Sequence, residues 1–259
     1  MTTIGITAPR ILSSEWRKEM SLRSTWWTLA VLAVAIPAAG IMTSLGVALG
    51  QLSADPADVG ALGGTLAGIS AAEIVVAVFG VLAVTGEYAT GSVRSSFTAI
   101  PARTPVILAK AGVVGAIVLG MSLALIFGTF AADRALLGSA GLQLSWTAPG
   151  VLRALVGAAV YLTLIAVLAG AVGWLVRSTA GAIGVLFGLL YVLPVIGLVL
   201  PEAPGQMYAR VLPANAGAVM REPLSVPGML PAWVGFLVVT AWVAVFLIGA
   251  VAAVRRRDV

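Results

Sequence analysis

The sequence contains no cysteine and no histidine, and it has few charged residues. Only 10% of its 259 residues are charged, whereas 60% are hydrophobic. The missing residue types exclude disulfides, thiolate chemistry, histidine-bound zinc or haem, and every Ser-His or Cys-His catalytic arrangement. A soluble domain carries roughly 25% charged residues, so this composition predicts that most of the chain lies in lipid.

Motifs for nucleotide chemistry are also missing. The only two lysines, Lys18 and Lys110, do not follow a glycine-rich loop, so the chain has no P-loop. No basic stretch is interleaved with aromatic residues, which argues against nucleic acid as a partner. We therefore expect a chain that is not an enzyme and that binds no metal or cofactor itself.

Long apolar runs predict six transmembrane helices. A helix needs about 20 apolar residues to cross roughly 30 Å of hydrocarbon. The runs place the spans near residues 27–49, 66–86, 105–130, 154–176, 179–200 and 231–253. The sequence thus predicts a single all-α integral membrane domain over residues 1–259.

The basic residues predict the orientation of these spans. With the N-terminus inside, eleven of the fifteen lie on the cytoplasmic side, and the positive-inside rule then puts both termini in the cytoplasm. The eleven are Arg10, Arg17, Lys18, Arg23, Arg94, Arg103, Lys110, Arg177, Arg255, Arg256 and Arg257. The other four are Arg134, Arg153, Arg210 and Arg221.

Residues 10–23 predict an amphipathic helix before the first span. Its apolar side carries Ile11, Leu12, Trp16 and Met20 at helical spacing. On the charged side, Glu19 is placed to pair with Arg23 four residues later. A basic amphipathic helix with a tryptophan lies in the headgroup plane. It serves either as a topology anchor alone or as an elbow that also contacts a cytoplasmic partner.

The segment 86–110 is the longest internal segment predicted on the cytoplasmic side. Glu87 and Arg94 are two helical turns apart, so they can share one face of a short helix. Pro101 and Pro105 would end that helix before the next span. The segment is either a solvated charged loop or a docking surface.

Glu73 interrupts the apolar run of the second predicted span. A charge at bilayer depth is costly, which makes Glu73 a candidate for the substrate path. Alternatively, Ser70 and Glu73 form a capping box at the start of a helix that begins at Ala71. Both interpretations are open from sequence.

The proline-rich segment 201–231 has an apolar middle at 207–220, which is too hydrophobic for a solvated loop and too short to span. It predicts a re-entrant hairpin or a pair of short interfacial helices.

Three stretches resemble the membrane subunit of ABC-2 type transporters, in particular the compact six-span permeases of high-GC Gram-positive bacteria. SEWRKEMSLRSTWWTL at 14–29 is similar to the family's N-terminal elbow and first span. The segment 85–110 carries E-x-x-x-G-x-x-R at Glu87, Gly91 and Arg94, similar to its first cytoplasmic loop. LPANAG at 212–217 is similar to a string before the last span.

This resemblance implies partners and roles. The chain would act as an exporter permease in the bacterial cell membrane. It would pair with a second permease subunit, in a homo- or heterodimer, and with two copies of an ATP-binding subunit that holds ATP and magnesium. The residues implied in coupling to the ATPase are Glu87, Gly91, Arg94, Arg17 and Lys18. The rival hypothesis is an ion- or proton-driven secondary transporter or channel that uses Glu73.

Overall fold

The computed structural model describes residues 7–52, 59–92, 103–142, 144–200, 202–224 and 228–256, which are helical with short connections and contain no strand. The first helices are α1 (Ala8–Ser21), α2 (Arg23–Ala48), α3 (Val59–Leu66), α4 (Ile69–Thr90), α5 (Arg103–Ser139) and α6 (Val151–Val176). The rest are α7 (Thr179–Phe187), a π-helical turn (Gly188–Val192), α8 (Leu193–Val199), α9 (Glu202–Arg210), α10 (Pro213–Met220) and α11 (Ala232–Arg256).

Six helical segments are long and apolar enough to cross a membrane. They are α2, the α3–α4 pair, α5, α6, the stretch Thr179–Gly197 (α7, its π-helical turn and the start of α8), and α11. The predicted all-α architecture with six membrane-spanning helices is therefore confirmed, including the second span that Glu73 interrupts. The chain is a multi-pass membrane protein.

The second and third spans depart most from their predicted bounds. The third span, predicted at 105–130, is the 37-residue helix α5, which continues past Asp133. The second span begins earlier, as α3, and is interrupted by a turn at 67–68 before α4. A Cβ on Gly68 would lie 2.7 Å from the Cα of Ile36, so only glycine allows α2 to pass this closely.

The fourth span lies at the centre of the bundle. Helix α6 packs against α4, α5 and α11, and its residues are the most buried of the six spans. Gly80 of α4 lies directly against α6, because a Cβ there would overlap the carbonyl oxygen of Ala166. Small residues at such positions let helix backbones approach closely in a membrane protein.

The segment predicted as a hairpin or a pair of short helices forms α9 and α10. Helix α10 packs on α6 and α11. Gly217 of α10 contacts the ring of Tyr161 directly, because a Cβ on Gly217 would overlap that ring. The fifth span contacts α10 through its π-helical turn, whereas α8 contacts α9. Pro194, just after that turn, lacks the N–H that would continue the α-helical ladder.

The start of α5 and the end of α11 meet at one end of the bundle. Arg103 Nη1 donates to the carbonyl oxygen of Val254 at 2.7 Å, and Arg255 Nε donates to Thr104 Oγ1 at 3.1 Å. We call this the terminal end. It comprises α1, the last turns of α4, the first turns of α5 and the end of α11.

Candidate functional site

A buried lysine at the terminal end is surrounded by three carboxylates. Lys110, on the second turn of α5, is 1% exposed. Its Nζ lies 2.9 Å from one carboxylate oxygen each of Glu15, Glu19 and Glu87. Glu15 and Glu19 belong to α1, whereas Glu87 belongs to the last turns of α4. A single ammonium group therefore joins three helices.

A second lysine completes this group at the surface. Lys18 Nζ lies 2.6 Å from Glu15 and 3.7 Å from Glu87, and its side chain is 40% exposed. We call these five residues, Glu15, Lys18, Glu19, Glu87 and Lys110, the ionic cluster. With all groups ionised its three acids outnumber its two bases, which leaves one net negative charge.

The surroundings of Glu19 in α1 disfavour the ionised form of its carboxyl group. Burial raises the pKa of Glu19, and the neighbouring carboxylates of Glu87 and Glu15 add to the rise, against the attraction of Lys110. Separating a buried ion pair leaves an uncompensated charge and costs about 3–5 kcal/mol. Helices α1, α4 and α5 are therefore held together as one unit at this end.

The buried face of α1 is not the apolar side identified from the sequence. Ile11, Glu15 and Glu19 form the buried face, whereas Leu12 and Trp16 are exposed. The reason is that Lys110 provides a buried countercharge, so the glutamates pack inward. The apolar side chains of Leu12 and Trp16 are then left exposed on the opposite side of the helix.

The predicted pair of Glu19 and Arg23 is also wrong. Glu19 binds Lys110, and the chain adopts an extended conformation at Leu22 before α2 begins at Arg23. The break removes the helical i to i+4 spacing that the prediction assumed.

The coupling residues predicted from sequence lie in different structural environments. Glu87 and Lys18 belong to the ionic cluster, whereas Arg17 is exposed on α1. Glu87 lies within α4 rather than in the connecting loop, because α4 continues to Thr90. Gly91 ends α4 with a positive φ of 72°. Arg94 lies outside the described residues.

The last turns of α4 are also fixed from the side of α6. Arg177 caps α6 with a φ of 57°, and its guanidinium carbon lies 5.3 Å from the ring centroid of Tyr88. Tyr88 in turn makes an edge contact with Trp174, and Thr179 donates to Thr85 at 2.8 Å. The end of α4 is thus held between Arg177 and Lys110.

Glu73 lies in a second polar group, away from the terminal end. Glu73 is 6% exposed on α4 and interacts with Tyr161 of α6. Tyr191 and Arg221 are close enough to Glu73 to interact with it electrostatically. Among the described residues, Glu73 Oε1 and the hydroxyls of both tyrosines have no hydrogen-bond partner of standard geometry. We call these four residues the Glu73 group.

The capping-box interpretation of Glu73 is wrong. Helix α4 begins at Ile69 with Gly68 at its N-cap, and no side chain caps it. Ser70 is therefore already inside the helix and exposed. Glu73 turns towards α6 because its position on α4 faces the helix that α4 packs against most extensively.

A third buried carboxyl group, Asp133, lies near the far end of α5. It is fully buried, and its Oδ2 accepts a hydrogen bond from Thr65 Oγ1 at 2.6 Å. Gly40 brings α2 close to both residues, since a Cβ there would lie 3.6 Å from Asp133 Oδ2. Asp133 was not singled out from sequence because it follows the predicted end of the third span.

Sequence reasoning also missed the roles of Lys110, Glu15 and Glu19. The available signal was the spacing of Ile11, Glu15 and Glu19 at i, i+4 and i+8, which places all three on one helix face. A lysine just inside the third span is the matching countercharge. Neither pattern identifies the other as its partner, because Glu19 and Lys110 are 91 positions apart in the chain.

No known protein-family model matches the chain, and no curated protein sequence is similar to it. Among the described residues, no group of acidic side chains has the arrangement of a metal site.

Proposed function

We propose that this chain is the permease subunit of an ATP-driven ABC-2 type exporter. It forms a dimer with a second permease subunit and couples to two copies of a separate ATP-binding subunit, which hold ATP and magnesium. The six membrane-spanning helices and the resemblance of segments 14–29 and 85–110 support this proposal. In this arrangement the protein lies in the bacterial cell membrane with its terminal end in the cytoplasm.

The ionic cluster is the observation that carries the proposal. Lys110 joins α1 and α5 to the end of α4, and the segment that contains Arg94 continues from that end. A partner that pushed on this segment would displace the three helices together, because separating their buried charges costs several kcal/mol. This is the property that a coupling device needs.

The mechanism follows from this rigid connection. Closure of the ATP-binding subunits pushes the segment 91–102, and α4 tilts with α1 and α5. The tilt changes the packing of α4 against α6, where Gly80 makes the backbones approach closely. Discrete repacking of helices is a known means of switching access from one side of a membrane to the other.

The first test is an affinity purification from native membranes in mild detergent, followed by mass spectrometry. The proposal expects a stoichiometric soluble protein with Walker motifs. A pure six-helix protein without an ATPase, repeated under gentle conditions, would contradict it.

The second test separates ATP hydrolysis from transport in the reconstituted complex. Glu87→Gln and Arg94→Ala are expected to retain ATP hydrolysis and lose most transport, since they alter the connection and not the ATPase. Arg134→Ala is the matched control, because Arg134 is exposed near the opposite end of α5. Normal coupling in both variants would count against the proposal.

The Glu73 group favours the rival function, an ion- or proton-driven transporter or channel. A buried carboxyl group with an oxygen that has no partner in the described part of the chain is suited to binding and releasing a proton or a cation. Under this hypothesis Glu73→Gln abolishes transport, while Glu87→Gln and Arg94→Ala have little effect. Glu222→Gln is the control, since Glu222 is exposed.

A further inference from the structure

A groove of about 900 Å³ opens at the terminal end, between α1, the start of α5 and the end of α11. Its polar rim consists of Arg103, Thr104 and Arg255. Its remaining lining is apolar and consists of Ala8, Ile11, Leu12, Pro105, Leu108 and Ala109. The described lining thus combines two arginine side chains with an apolar wall.

Hydrogen bonds hold the two arginines of the rim in position. Arg103 donates to the carbonyl oxygen of Val254, and Arg255 donates to Thr104. Each bond crosses between α5 and α11, which brings the two guanidinium groups to the same rim. A guanidinium group has five N–H donors in a planar fork, so one that binds a protein oxygen can also bind a phosphate oxygen.

The apolar wall indicates a lipid rather than free phosphate. Leu12 and Leu108 line the groove and are 43% and 51% exposed, so an acyl chain can lie against both. Helices α5 and α11 are membrane-spanning, so the groove lies where a span meets the headgroup region. Basic pockets between transmembrane helices are known to bind anionic lipid headgroups.

We propose that this groove binds one anionic phospholipid, with its phosphate between Arg103 and Arg255 and an acyl chain along Leu12 and Leu108. Helix α1 forms one wall of the groove, and Ala109 precedes Lys110 of the ionic cluster. The lipid therefore holds α1 against the bundle on the side next to the cluster. This site does not depend on the identity of the transported substrate or on an ATPase.

The test is native mass spectrometry of the full chain with phosphatidylglycerol and phosphatidylcholine. Each arginine near an anionic headgroup contributes about 1 kcal/mol, so Arg255→Gln should weaken phosphatidylglycerol binding about fivefold. Arg256→Gln is the matched control, because Arg256 is the next residue of the same helix, is exposed and does not line the groove. Its binding should stay within about twofold of the wild type.

A second pair of variants tests the acyl-chain contact independently of charge. Leu108→Trp fills the groove and should weaken phosphatidylglycerol binding, whereas Val245→Trp changes an exposed position of α11 outside the groove and should not. Equal loss in Arg255→Gln and Arg256→Gln would overturn the proposal. So would equal affinity for the two lipids, or displacement of phosphatidylglycerol by an equal concentration of inorganic phosphate.

Discussion

Replacing Lys110 with methionine tests whether the ionic cluster holds α1 to the bundle. Methionine has a similar length but no charge, so the packing volume is largely kept. In the wild type, Lys110 faces three carboxylates at 2.9 Å each. Among the described residues, the variant leaves Lys18 as the remaining cation of the cluster, 2.6 Å from Glu15 at a partly exposed position.

The expected loss follows from the burial of the carboxylates. Removing one partner of a buried ion pair costs about 3–5 kcal/mol. For a chain of this size, each kcal/mol lowers the melting temperature by about 2–4 °C, so the decrease should be roughly 6–20 °C. Lys18→Met removes the same charge from a side chain that is 40% exposed, and should cost at most about 1 kcal/mol.

The assay is thermal unfolding of the purified protein in one detergent at one pH. The double variant Lys110→Met with Glu19→Gln should regain part of the loss, because it removes one of the unpaired carboxylates. A Lys110→Met melting temperature within about 2 °C of the wild type would refute the reasoning, as would a double variant whose losses simply add.

Three further predictions concern other described residues. Burial raises the pKa of Glu19, so the folded state favours the protonated form of this side chain and loses stability as pH rises through that raised pKa. The melting temperature of Glu19→Gln relative to the wild type should therefore increase as pH rises above 4.5, the ordinary pKa of a glutamate. Gly80→Ala should cost about 1–3 kcal/mol in thermal unfolding, because its Cβ meets the backbone of α6, whereas Gly86→Ala in the same helix meets nothing within 4 Å and should not destabilise. Thr65→Val should cost about 1–3 kcal/mol by leaving Asp133 without its hydroxyl donor, and Thr65→Ser should retain stability in the same assay.

The number of spans could be predicted from sequence because the length of an apolar run is a local property. The ends of the spans could not, because they depend on partners that are distant in the chain. Helix α5 continues through Asp133 since Thr65, 68 residues away, donates a hydrogen bond to it. A charged residue ends a predicted apolar run whether or not such a partner exists.

The same limit applies to the candidate sites. Helical spacing identifies α1 as amphipathic, but the choice of packed face depends on Lys110, which is supplied by α5. The capping-box pattern at Ser70 and Glu73 is local and fits the sequence well. It is overridden because Gly68 allows α4 to begin earlier and brings it against Ile36 of α2.

The two candidate sites differ in how their charges are compensated, and this difference separates the two proposed functions. Each carboxylate of the ionic cluster has a lysine nitrogen at 2.9 Å or less, so the cluster resists separation. Glu73 has no cation within 4 Å among the described residues, and its Oε1 has no hydrogen-bond partner there. A connection that transmits force needs the first arrangement, whereas a group that exchanges a proton or cation needs the second. Glu87→Gln and Glu73→Gln, compared in one transport assay, therefore distinguish a protein driven by its partner's ATP hydrolysis from one driven by an ion gradient.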